Sequence, residues 1–429
     1  MCALRARGYA AAAVALLAGC GRIGFAGDQP DAGPGTDPDA ALPTDRVSVV
    51  TRSRGGPPGP APGVIVWTSH ADGSLDELGE TDEAGRAALR VDPGGGSVSA
   101  AYPGTPYMVR TVIGVELGDL IRFGEDNRPC DQTPRGQATI TWAAFPDAAG
   151  YRISSTCDGF TTSTATSRVW DLTAGIPDPM DVVVQAIGSS GQLIATATRI
   201  GVPLGDGATV AFTAADWLAP VPRDIGVTGL PAFAMTGELF IFFRTPNDPT
   251  AGGGDYLFEP PTEGALIASV GAPSGADVIT VFGSALGSPT EHAIGFQHWF
   301  DPASNGTIAA LTMPSLASDL AYDETTHRVS WSEVPGPTDR LLVTVSYGTS
   351  YRWEVFLPGG ATSVALPEPP AGVMSTIPGM PPAISVHAAV FAPRIAWPEL
   401  RLRPEWGQLT LQDSVVSASI GTSFTAIAP

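Results

Sequence analysis

The sequence predicts an all-β protein, a row of tandem β-sandwich domains behind an export signal and a disordered linker. Three observations lead there. Short runs of Val, Ile, Thr and aromatic residues recur about every 8–12 residues, each bounded by Gly, Pro or Asp. No long segment repeats its apolar residues with the 3.6-residue period of an amphipathic helix. Gly (51) and Pro (41) make up about a fifth of the 429 residues, enough for frequent tight turns yet short of a disordered composition.

Residues 1–19 read as a signal peptide. Arg5 and Arg7 are the only charges ahead of the apolar run Ala10 to Ala18, which Gly19 and Cys20 close. That run suits a secretory signal and is too short to cross a bilayer, which takes about 20 apolar residues. Leu17, Ala18, Gly19 and Cys20 resemble the bacterial lipobox. The resemblance implies that Cys20 is acylated and becomes the first residue of the mature chain. It also implies a place in the cell envelope, with Gly21 in place of the inner-membrane retention Asp pointing to the outer membrane. Two or three acyl chains anchor stably where one does not. Residues 20–45 follow as an acidic, Pro- and Gly-rich tether; from Gly27 to Asp45 it is almost entirely Asp, Pro, Gly, Ala and Thr and cannot bury a core.

All 23 basic residues are Arg, and the net charge is −20. An acidic surface repels nucleic acid, so no nucleic-acid partner is expected. Cys2 leaves with the signal and Cys20 takes lipid. Cys130 and Cys157 remain, in a compartment where disulfides persist, and are expected to pair. A metal-binding or reactive thiol pair is the alternative, but no His or Cys stands at ligand spacing nearby.

Residues 46–125 form the first predicted sandwich. Val47 to Val50 is one strand and Val64 to Trp67 a second; Thr81, Asp82, Gly85, Arg86, Ala87 and Leu89 compose a turn between two more. These elements resemble the carboxypeptidase regulatory-like (transthyretin-like) domain, in which the Gly permits the turn. Residues 126–223 carry Ala138 to Trp142, Tyr151 to Ile153 and Val182 to Ala186. They resemble a fibronectin type III domain, with Val182 where that family places Tyr. Residues 317–429 repeat the plan with Arg328 to Trp331, Leu341 to Val345 and Ile384 to Ala388. Residues 224–316 have clear strands but no family likeness, and Phe240 to Phe243 reads as a strand covered on both faces.

Chemistry is sparse. Phosphate loops of the Walker type need a Lys, and there is none; H-E-x-x-H, C-x-x-C and G-x-S-x-G are absent too. No cofactor, metal or catalytic residue is expected. On a strand His292 and His298 share a face but lie roughly 20 Å apart, too far for one ion. His387 is expected to face solvent between inward Val386 and Ala388, and His70 and His327 to sit beside turns. The acidic run from Asp72 to Glu83 lacks the spacing of an EF-hand loop. Tyr347, Tyr351 and Trp353, around a hairpin turn at Gly348, are candidates for stacking on a glycan, with core packing as the alternative. The sequence therefore predicts a lipid-anchored, non-enzymatic spacer or interaction module. Its partners would be the membrane, through Cys20, and a protein or glycan; an envelope hydrolase is the less favoured reading.

Overall fold

The computed structural model describes residues 44–52, 60–93, 95–104, 107–124, 133–155, 159–173, 176, 178–230, 236–244, 254–272, 278–286, 292–300, 306–308, 319–332, 338–373, 382–392, 396–402 and 414–423. Almost all of these lie in strands or the turns that join them, as the all-β reading expects. The chain divides into two compact units. One comprises Met1–Asn127, Pro289–Ile294 and Thr312–Pro429; the other comprises Arg128–Ser288 and Gly295–Leu311.

In chain order the first unit begins with β1 (Val47–Thr51), β2 (Ile65–Ser69), β3 (Leu75–Glu80), β4 (Arg86–Leu89), β5 (Gly96–Tyr102), β6 (Tyr107–Val115) and β7 (Leu120–Phe123). A small sheet, β4-β1-β7, pairs β1 antiparallel with β4 and parallel with β7. The turn before β4 forms as its residues demand. Gly85 holds φ +69 and a Cβ there would sit 2.5 Å from the Thr51 carbonyl oxygen, so only Gly fits. The Asp82 carboxylate accepts the backbone N–H groups of Ala84 and Arg86 at 2.9 and 2.8 Å.

The second unit holds β8 (Pro134–Trp142), β9 (Gly150–Ser155), β10 (Gly159–Ser163), β11 (Ser167–Thr173), β12 (Met180–Ile187), β13 (Leu193–Val202) and β14 (Ala208–Phe212). These make a sandwich of β10-β9-β12-β13 on β11-β8-β14. Its core is Ile140, Trp142, Tyr151, Ile153, Trp170, Val182, Val184 and their neighbours, the inward positions of the alternating strands. Instead of a tyrosine corner, the Tyr151 hydroxyl accepts the Phe145 N–H at 2.9 Å. Next come β15 (Val221–Thr228), β16 (Thr236–Arg244), β17 (Gly254–Glu259), β18 (Ala265–Ala272), β19 (Val278–Leu286), β20 (His292–Phe300) and β21 (Gly306–Ile308). Here β18-β15-β21 form a three-stranded sheet, while β16 lies between β17 and β19. Leu239, Ile241 and Phe243 of β16 are buried; the side chains of the alternate face lie outside the described residues.

The chain then completes the first unit with β22 (Ala321–Asp323), β23 (Arg328–Ser330), β24 (Arg340–Tyr347), β25 (Tyr351–Pro358), β26 (Ser363–Ala365), β27 (Ala383–Ala392) and β28 (Ser414–Ser423), plus the short helix α1 (Trp397–Leu400). Sheet β22-β23-β26 faces strands ordered β25-β24-β27-β28. This is the strand plan of β8 to β13, and Trp142 and Trp331 are equally enclosed, at 4% and 5% exposure.

One expectation is corrected here. Residues 46–125 and 317–429 are not separate sandwiches. Strand β6 pairs parallel with β25, Tyr107 opposite Tyr351 through Val112 opposite Phe356, so one sheet runs β28-β27-β24-β25-β6-β5-β2-β3. Three layers result. Strands β1, β4 and β7 cover Val66, Val98, Ala100, Met108 and Val112 on one face. On the other face Trp67, Ala101 and Val109 join Val329, Trp331, Val343, Trp353 and Val364 in a single core. The physical reason is visible in β5: all seven of its residues are buried, so it needs cover on both faces, which a two-layer sandwich cannot supply.

Candidate functional site

The residues singled out from sequence fall into two groups. Cys20, Cys130 and Cys157 lie outside the described residues. The three aromatic candidates are placed, and the hairpin turn between β24 and β25 forms at Gly348 as expected, with φ +57. Trp353 is 4% exposed and belongs to the shared core; its indole N–H donates to Thr111 Oγ1 on β6 at 2.9 Å. Tyr347 is 8% exposed. A stacking platform must offer a free ring face, so the expectation is corrected for these two, which serve as core. Tyr351 differs. It is half-buried and meets Tyr107 with ring centroids 5.6 Å apart at 47°.

Register lines up Tyr347, Tyr351 and Tyr107 on three adjacent strands at one end of the sheet. Tyr322 of β22 adds to this rim, its hydroxyl 3.0 Å from His327 Nδ1. Burial, reinforced by a hydrogen bond with Tyr347, holds the Tyr322 hydroxyl protonated far above the ordinary phenol range. Burial and then the Tyr351 neighbour raise Tyr107 as well. The rim therefore combines two half-exposed rings with hydroxyl groups that stay neutral at physiological pH.

The β6–β25 joint carries a buried polar group that sequence reasoning missed. Arg110 and Glu354, opposite one another in register, form an ion pair at 3.0 Å, both side chains 6% exposed. The other Glu354 oxygen lies 2.8 Å from Arg352 Nε. His387 on β27 faces the same side of the sheet, and its Nε2 is 2.9 Å from Ser385 Oγ. Its expected solvent exposure is corrected: alternation does put it opposite Val386 and Ala388, but the ring is part-buried. That burial, aided by the positive charge of Arg352, lowers its pKa to about 4, so the imidazole is neutral. No local motif announces this group, because its members are 244 residues apart in sequence.

A third constellation lies on the rim of β2 and β3. His70 follows β2, Asp76 is on β3 and Asp92 follows β4. His70 Nδ1 is 2.5 Å from Asp92 Oδ2, and His70 Nε2 is 4.0 Å from Asp76 Oδ1. The hydrogen bond with Asp92 raises the His70 pKa above its ordinary value. Asp72, the third carboxylate nearby, is engaged elsewhere: it accepts from the N–H and hydroxyl of Ser74 at 2.9 and 2.6 Å, which lowers its pKa. The sequence placed His70 beside a turn, correctly, but Asp92 is 22 residues away and carried no signal.

Among the described residues no helix is long and apolar enough to cross a membrane. No family model matches the chain, and no curated protein matches it. Among solved structures the Bacillus anthracis TIE protein is 11% identical with a TM-score of 0.15, covering 61% of this chain and 49% of its own. A candidate adhesin of Bacteroides ovatus is 11% identical with a TM-score of 0.17, over 63% of this chain and 90% of that one. The native conformation of Escherichia coli alpha-2-macroglobulin is 11% identical with a TM-score of 0.13, over 84% and 27%. Similarity of this degree carries no functional argument.

Proposed function

We propose that this chain is a lipid-anchored envelope protein, held at the outer membrane through acyl groups on Cys20, that acts without catalysis as a spacer and interaction module. The observation that carries the reading is the order of the first 45 residues: a basic start, an apolar run ending in Leu17 to Cys20, then a polar tether. Such an order exports a chain, anchors it by lipid and holds folded modules away from the surface. The β-rich modules behind it support contact by strand addition, since β3 and β10 each lie at the end of a sheet. Labelled palmitate tests the anchor. Wild type is expected to incorporate the label and sediment with membranes, and Cys20→Ser to do neither. Continued labelling of the Ser variant would refute it.

A second reading, glycan binding, rests on the half-exposed Tyr107–Tyr351 pair. Aromatic faces beside neutral hydroxyls suit the apolar face and hydroxyl groups of a sugar ring. Retention on peptidoglycan or an immobilised glycan, lost in Tyr351→Ala at an unaltered melting temperature, would favour it. Trp353→Ala is unsuited to this test, because it removes a core side chain.

A further inference from the structure

We propose that His70, Asp76 and Asp92 form a binding site for a divalent first-row transition ion of the zinc class. One ring nitrogen of His70 and one oxygen from each carboxylate lie within 4.8 Å of one another. The three groups come from three separate stretches of chain, and β2 and β3 are paired neighbours, so the sheet brings them together. Ligands on a tetrahedral zinc ion, at about 2.0–2.2 Å from the metal, stand a little over 3 Å apart. Asp92 meets the Nδ1 side of the ring and Asp76 stands nearer Nε2, so gathering both carboxylates at one ring nitrogen takes a turn of the imidazole and of the carboxylate side chains. The side chains are 39%, 26% and 50% exposed, so they are free to turn and water has access to the remaining positions.

Two features separate this site from an ordinary acidic surface. First, it contains an imidazole, which suits zinc, copper or nickel, whereas calcium and magnesium take oxygen ligands alone. Second, the backbone that presents the imidazole is closed by two hydrogen bonds, His70 N–H to the Ser74 carbonyl at 2.9 Å and Gly73 N–H to the His70 carbonyl at 3.0 Å. Asp72 is committed to Ser74 inside that turn and is not a ligand. Three protein ligands leave at least one position open, as in zinc sites that hold water or an incoming donor. In the ion-free protein Asp92 shares a hydrogen bond with Nδ1; a bound ion takes the place of that shared proton.

Isothermal titration of the detergent-solubilised mature protein with zinc chloride tests the site, with cobalt(II) absorption as a second readout. Wild type is expected to bind one ion at this site and to develop ligand-field bands with cobalt. His70→Ala and Asp92→Asn are each expected to weaken zinc binding at least tenfold and to remove the bands. Asp76→Asn is expected to weaken it severalfold, and His327→Ala to leave both readouts unchanged. Unaltered melting temperatures confirm that the variants are folded. The proposal is overturned if wild type binds no zinc, if binding survives His70→Ala, or if calcium competes on equal terms.

Discussion

The molecule builds one sandwich plan twice, and the two copies end differently. In the first, among the described residues, β10 is the end strand of the four-stranded sheet β10-β9-β12-β13. In the second, the corresponding order β25-β24-β27-β28 does not stop at β25, because β6 pairs with that strand from outside. The composition of the two strands accounts for the difference. Strand β10 reads Gly, Phe, Thr, Thr, Ser, with a single large apolar residue in five. Strand β25 has Trp353, Val355 and Leu357 on one face and Phe356 with Glu354 on the other, all buried. A polar edge strand tolerates solvent, whereas β25 buries one apolar face and, on the other, Phe356 and a Glu354 whose ion-pair partner Arg110 is supplied by β6. The third strand of the smaller sheet also changes origin. In the first copy β14 pairs parallel with β8 from the end of the sandwich, and in the second β22 pairs antiparallel with β23 from its beginning.

The largest effect is expected at the joint itself. Trp353→Ala removes a core indole and its bond to Thr111, and by the scale of buried aromatic truncations costs about 3–5 kcal/mol in a urea melt. Hydrogen exchange should then quicken in β5 and β6 as well as in β24 and β25. Trp142→Ala, in the copy with an open edge, should quicken exchange only in β8 to β14. If both variants disturb only their own sandwich, the joint is not a cooperative link.

Next in size is the ion pair. Glu354→Leu deprives Arg110 and Arg352 of their carboxylate at a buried site, which by comparison with other broken buried pairs costs about 3 kcal/mol. Replacing both members, Arg110→Met with Glu354→Leu, should recover most of that loss, because two apolar side chains suit the same space. A double variant no more stable than the single one would mean that the pair sets the register of β6 on β25.

His387 supplies a pH dependence. Its folded pKa of about 4 lies below the ordinary 6.5, so the unfolded chain binds the proton more readily. The stabilisation is full above pH 6.5 and is lost as the pH falls toward 4, a difference of about 2–3 kcal/mol for a part-buried ring. Urea melts at pH 7 and pH 4 should show this loss in wild type and a flatter profile in His387→Gln. An unchanged slope in the variant would assign the acid sensitivity to other groups. The smallest effect belongs to the other free edge: Leu78 on β3 is 53% exposed, and Leu78→Ala should shift stability by less than about 0.5 kcal/mol. A larger loss would mean that this edge is covered in solution.

Much of the fold was legible because sandwich strands carry local signals. Trp67, Trp142 and Trp331 stand in cores as alternation predicts, and the Gly85 turn has the hydrogen bonds its residue types require. The repeat of β8, β9 and β12 in β23, β24 and β27 could be read residue against residue. The candidate sites were less legible. Tyr351 and Trp353 are two residues apart on the same face of one strand, yet the first is half-exposed and the second enclosed. What separates them is how far along β25 the covering sheet and β6 extend, and that is no property of the hairpin. His70, Asp76 and Asp92 meet only because β2 and β3 pair and the chain after β4 returns beside them.

By itself the sequence determined the secondary structure class, the strands and turns, and which residues of a strand share a face, because side-chain alternation and glycine or proline stereochemistry act over a few residues. The tertiary structure alone decided that the first and last sandwiches share a sheet, that Glu354 is buried against Arg110, and that His387 is neutral. Strand pairing joins residues more than 240 positions apart, and backbone hydrogen bonds are the same for every residue type, so no local pattern records which edge meets which.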